Sequence, residues 1–111
     1  MFFAHRLVAN LKVMMEQYYQ RDIIAFSNYK VDVNEVTNIV SISYVLNCYD
    51  LLETQMTQQR YDEYRSKLLH YCVRTAEMLT ATKEVVKVTI EERMITDCYE
   101  NEHVTKRMEI F

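Results

Sequence analysis

The side chains in this sequence best suited to holding a metal ion are His70, Cys72, Cys98 and His103, the donor types zinc prefers. Residues two apart on a helix point about 200° away from each other. A helical reading of this region therefore sends His70 to water and Cys72 to the core, so the two cannot grip one ion. Cys98 and His103 fall outside the common pair spacings. Nucleophilic chemistry at Cys72 would need a base within hydrogen-bond reach and an anion-stabilising pocket, and the spacing to His5, His70 or His103 assembles neither. The carboxylate pairs Asp62-Glu63 and Glu91-Glu92 are sequence neighbours and diverge on a helix, as solvated pairs do. The 111 residues contain no glycine, which removes the phosphate loops and dinucleotide fingerprints that depend on it. No catalytic residue, metal or cofactor is expected.

Tyrosine is the enriched functional type, with nine copies. Aromatic rings with a polar tip suit half-wet boundaries and the centres of protein contacts. Tyr61, Tyr64 and Tyr71 recur at helical steps and read as packing residues. Tyr19, beside Tyr18 but about 100° around a helix from it, and Tyr29 have no evident place in a core. With Arg21 as a neighbouring anchor, and with Tyr49, they are the candidate partner-binding residues. Seven methionines add material for an adaptable apolar surface.

Half of the residues are hydrophobic and 26% are charged, enough for one folded domain over residues 1–111. The formal charge of −3 and the scattering of the thirteen basic residues offer no footprint for a phosphate backbone. No apolar run approaches the roughly 20 residues that cross a bilayer, and the N-terminus lacks the basic-then-apolar order of a signal peptide. Cys48, Cys72 and Cys98 form neither a disulfide framework nor a zinc ribbon. A cytoplasmic protein with reduced thiols follows.

Phe3, Leu7, Leu11, Met14 and Tyr18 trace one stripe of a helix that runs on to the Ser27-Asn28 stop. Asp32 and Glu35 resemble a helix-start capping pair. Val33 to Met56 holds many β-formers, but some 24 residues without a turn signal exceed an ordinary strand. This segment therefore predicts a second helix, apolar on almost every side and so in need of cover. Gln59 to Thr82 predicts a third, with Tyr61, Tyr64, Leu68, Tyr71, Thr75 and Met78 inward and Asp62, Glu63, Lys67, His70 and Arg74 in water. For the last stretch a fourth helix through Val86, Ile90 and Met94 is favoured over a hairpin turning at Glu100-Asn101-Glu102.

With no glycine and no proline, long elements and few turns are expected. The fold class is all-α, a three- to four-helix bundle, with a helical hairpin plus a C-terminal β-hairpin as the alternative. The functional expectation is a non-enzymatic interaction module that presents a helix face to another protein, or to a copy of itself, as inhibitor, adaptor or regulatory subunit. Nucleic acid and membrane are not among the expected partners. The alternative is a helical binder of a small nucleotide-like ligand gripped by tyrosine and arginine.

Overall fold

A period of two, not the helical period, governs the middle of the chain. Val40, Ile42, Tyr44 and Leu46 are buried, whereas Ser41 is exposed and Ser43 and Asn47 are half-buried. Such alternation belongs to a strand with one face on a core. The computed structural model describes residues 1–21, 26–48 and 57–111. Among them, strand β1 (Phe26–Asn34) and strand β2 (Ile39–Asn47) form an antiparallel hairpin where the end of the first helix, up to Ser27-Asn28, and much of the second, from Val33, are expected.

The turn between them is built without glycine. The Asn34 side-chain oxygen accepts from the backbone N–H groups of Val36 and Thr37 at 3.0 and 3.1 Å. Asn38 closes the turn at φ 58°, a conformation asparagine tolerates better than most residues. Asp32 and Glu35 cap no helix: Asp32 lies on β1, and Glu35 bonds His5 at 2.6 Å.

The remaining elements are helix α1 (Phe2–Arg21), helix α2 (Gln58–Ala81), strand β3 (Lys87–Ile95) and strand β4 (Glu102–Ile110). The fold is α+β, with chain order α1, β1, β2, α2, β3, β4 and sheet order β1-β2-β3-β4. The two outer pairs are antiparallel hairpins. The central pair, β2 with β3, is parallel and needs the long crossover that α2 supplies. The expected all-α bundle is thus overturned. So is the favoured fourth helix, since β3 and β4 form a hairpin that is part of the four-stranded sheet.

Both helices contribute to one core against one face of the sheet. Ala4, Val8, Leu11 and Met15 of α1 meet Leu68, Cys72, Ala76 and Leu79 of α2 above Val31, Ile42, Val88 and Ile90. The buried line of α1 is rotated from the expected stripe, and Phe3 is exposed. Thr57 starts α2, its hydroxyl accepting from the Arg60 N–H at 3.2 Å, as an N-cap should.

One end of the molecule is tied together. The Glu84 carboxylate accepts from the N–H groups of Phe3 at 3.0 Å and Ala4 at 3.3 Å, capping α1 from far along the chain and meeting its positive dipole end. Next to it, the Val86 N–H donates to the Asn38 carbonyl at 2.9 Å. At the far end of the sheet, the β3–β4 turn is organised by Asp97, whose carboxylate accepts from the N–H groups of Tyr99 and Asn101 at 3.0 and 3.3 Å.

Lys83 has φ 66° directly after the α2 C-cap Thr82, the position where glycine is normally found. A left-handed conformation costs a residue with a Cβ about 1–2 kcal/mol, partly offset by the extra freedom glycine has when unfolded. Lys83→Gly is expected to stabilise the protein by about 0.5–1 kcal/mol, seen as a higher urea midpoint at unchanged slope. A lower midpoint would mean that the lysine side chain contributes more than its backbone costs.

Candidate functional site

Glu92 is a charged residue whose side chain has no exposure. On a strand it falls in phase with Val88, Ile90 and Met94, so the fold drives it inward. Three other elements converge on it. Arg65 of α2 approaches with Nη2 at 2.5 Å and Nε at 3.1 Å from Oε1, the Tyr44 hydroxyl of β2 donates at 2.8 Å, and Thr105 Oγ of β4 lies 2.8 Å from Oε1. Thr105 is the extra residue of the β4 bulge, which brings its hydroxyl into reach.

Burial alone would raise the Glu92 pKa, but the hydrogen bonds from Arg65, Tyr44 and Thr105 outweigh it and hold the carboxyl below its ordinary value. Burial and the adjacent Glu92 charge push the Tyr44 phenol well up. Such a carboxylate is held charged rather than poised to exchange a proton near neutrality. A cleft of about 170 Å³ between α2 and β4, lined by Asp62, Arg65, Ser66, Leu69 and Lys106, meets Arg65 and stops short of Glu92. The cluster is built as a clasp. Sequence reasoning missed it by placing Glu91-Glu92 on a helix; at strand spacing, a carboxylate in an apolar row is the signal.

The face of the sheet away from the helices is a charged lattice. Glu91 accepts from Arg93 Nε at 2.5 Å and Arg107 Nη2 at 2.6 Å, which lowers its pKa. Lys87 reaches Glu109 at 3.5 Å. These partners are mutually satisfied and solvent-facing.

The candidate contact residues meet at the start of β1. The Tyr19 and Tyr29 rings, from α1 and β1, stand edge to face with centroids 6.3 Å apart, and the Tyr29 hydroxyl donates to Glu16. Tyr19 is 48% exposed, and Arg21 is exposed at the end of α1. Tyr49 lies outside the described residues.

β1 is an outermost strand of the sheet. The Cys48 N–H donates to the Ile95 carbonyl at 2.8 Å, so even-numbered residues of β2 bond toward β3 and odd-numbered ones toward β1. In the observed register the odd β2 residues face Asn28, Lys30, Asp32 and Asn34. The main-chain groups of Tyr29, Val31 and Val33 therefore point outward. Consistent with this, the Tyr29 N–H is taken by the Asn28 side-chain oxygen at 2.8 Å, which stands where a partner strand's carbonyl would be.

The other residues weighed from sequence are dispersed. His70 and Cys98 are exposed, Cys72 is fully buried, and His103 lies on β4. Among the described residues, no group of three or more histidine, cysteine, aspartate or glutamate side chains is placed to hold a metal ion. A tyrosine with basic neighbours occurs at Tyr64, half-buried against the core, with Arg60 and Lys67 at 5.9 and 5.7 Å from its ring. No helix among the described residues is long and apolar enough to cross a membrane.

Removing one partner of a buried ion pair strands the other. Glu92→Ala is expected to lose about 3–5 kcal/mol, while Arg65→Met with Glu92→Leu loses clearly less. Because the folded pKa of Glu92 is depressed, its contribution is complete above the ordinary value of 4.5 and disappears as pH falls through the lower folded value. Stability should therefore drop below pH 4.5, and less steeply in the doubly substituted chain. The thiols give a further check. Burial, with the nearby Glu92 charge, raises Cys72 to about 12, so a thiol reagent at pH 8 should modify Cys98 first and Cys72 only on unfolding; early labelling of Cys72 would contradict the packing described. No protein-family model matches this chain, and no curated protein or solved structure is found similar to it.

Proposed function

We propose that this chain is a protein–protein interaction module that acts by binding rather than by catalysis, taking up another polypeptide strand along the outer edge of β1. The single observation that carries this reading is the regular stretch Asn28–Asn34, with three residues whose main-chain groups face outward and an aromatic pair, Tyr19 and Tyr29, at its start. Added strands gain affinity from main-chain hydrogen bonds and selectivity from alternate side chains. An exposed tyrosine beside the edge supplies the large, rigid anchor that contact centres favour. The binding edge replaces the helix face expected from sequence. The former case for association, a second helix too apolar to be wetted, falls with that helix.

The strongest polar cluster of the fold supports a binding role, because its donors and acceptors are spent on one another around Glu92. Action as an inhibitor, adaptor or regulatory subunit follows from occupying a partner's own strand or groove. Three unpaired cysteines suit a reducing compartment, and we place the protein in the cytoplasm. The net charge of −3 argues for protein over nucleic acid as the partner.

A photoreactive amino acid placed at Asp32, on β1, and in a separate chain at Glu77, on the exposed side of α2, tests this in extracts of the native source. Adducts to a polypeptide are expected from position 32 and not from position 77. Adducts from position 77 alone would overturn the edge as the working surface.

A further inference from the structure

We propose that the strand received by β1 is β1 of a second copy, laid antiparallel about a two-fold axis through Val31; this rests on the edge reading above and names its partner. Asn28-Tyr29-Lys30-Val31-Asp32-Val33-Asn34 is close to a palindrome in chemical type. Pairing about Val31 sets Lys30 against the partner's Asp32 and Asp32 against the partner's Lys30. Tyr29 then faces the partner's Val33, Asn28 faces the partner's Asn34, and Val31 meets the partner's Val31. Every facing pair is oppositely charged, apolar or amide, the combinations that stabilise neighbouring strands.

The main chain agrees with the side chains. Tyr29, Val31 and Val33 carry the outward groups, and in this register they face one another. Three such pairs exchange about six hydrogen bonds in the alternating antiparallel pattern. The Asn28 amide that now occupies the Tyr29 N–H at 2.8 Å would be displaced by a carbonyl of the partner's Val33. Facing residues of paired strands share a face. Tyr29, Val31 and Val33 thus continue the helix-covered side and Lys30 and Asp32 the open side, so the two sheets join into one without flipping any residue.

Lys30 and Asp32 already lie 3.3 Å apart along β1 with side chains 72% and 58% exposed. Doubled about the axis they form a square of four charges of alternating sign. α1 lies along β1, as the His5–Glu35 and Tyr19–Tyr29 contacts fix, so its line through His5, Ala9, Lys12, Glu16 and Tyr19 runs beside the same axis.

The other edge is built against such pairing. β4 carries a bulge at Thr105 near its middle, and bulges twist an edge away from incoming strands. An antiparallel self-pairing about its centre would also set Lys106 against the partner's Lys106. In β1 the bulge, at Ser27, is confined to the start of the strand, leaving Asn28–Asn34 regular.

Analytical ultracentrifugation of the full chain and its charge variants provides the test, with circular dichroism confirming the fold at these exposed positions. The native chain is expected to dimerise reversibly. Lys30→Asp and Asp32→Lys, which bring like charges together across the axis, should each weaken the dimer by at least about ten-fold. An equal mixture of these two variants should form heterodimers, and the doubly exchanged Lys30→Asp with Asp32→Lys should self-associate again. A native chain that stays monomeric into the high micromolar range, or single reversals that dimerise as tightly as the native chain, would overturn the proposal. Position 32 adducts to a different protein, from a chain that stays monomeric, would leave the edge-binding module standing while removing the second copy.

Discussion

The desolvated charge of Glu92 constrains everything around it. A carboxylate with no exposure is tolerated only when its lone pairs are filled and a cation is close. Here the donors come from three other elements: Tyr44 on β2, Arg65 on α2 and Thr105 on β4. Correct satisfaction of one side chain therefore requires the parallel β2–β3 seam, the crossover helix and the β4 bulge together. Apolar packing of Ile42, Ile90 and Leu68 supplies most of the driving force, but it would accept neighbouring arrangements. A one-residue slip of β3 would send Glu92 to the open face and strand Arg65 and Tyr44.

The two faces and two edges of the sheet divide the remaining work. One face is closed by α1 and α2. The opposite face is wetted, and its charges neutralise one another through the Glu91, Arg93 and Arg107 group. The β4 edge is interrupted by the same bulge that serves Glu92, so a single irregularity satisfies the core and discourages pairing. The β1 edge has no comparable interruption over Asn28–Asn34.

Helices α1 and α2 were legible because three- and four-residue spacing is visible whatever the rest of the chain does. The β1–β2 hairpin was not. Its strands are rich in Val and Ile, but the signal expected for its turn was glycine, and the turn is made instead by Asn34 and Asn38. Without a visible turn, β2 and the residues leading into it read as part of one long helix, and projection at the wrong period spread Val36, Ile39, Val40 and Ile42 around an imaginary cylinder. Lys83 and Glu100, also left-handed, carry no sequence cue at all. Of the candidate site, Tyr19 could be singled out for lacking a core position, whereas Tyr29, singled out with it, is partly buried against the core. Their meeting across α1 and β1 depends on topology, and so did the partners of Glu92, which come from distant parts of the chain.

The pole fastened by Glu84 is also where β4 finishes, since Ile110 pairs with Val88 near the start of β3 while Phe3 is held beside it. Tension applied between Phe3 and Ile110 therefore has no long row of hydrogen bonds to shear at once. It would open β4 from β3 one rung at a time, like a zip. In mechanical terms this is a compliant fold, one that yields at low force from its C-terminal strand while the β2–β3 seam stays closed.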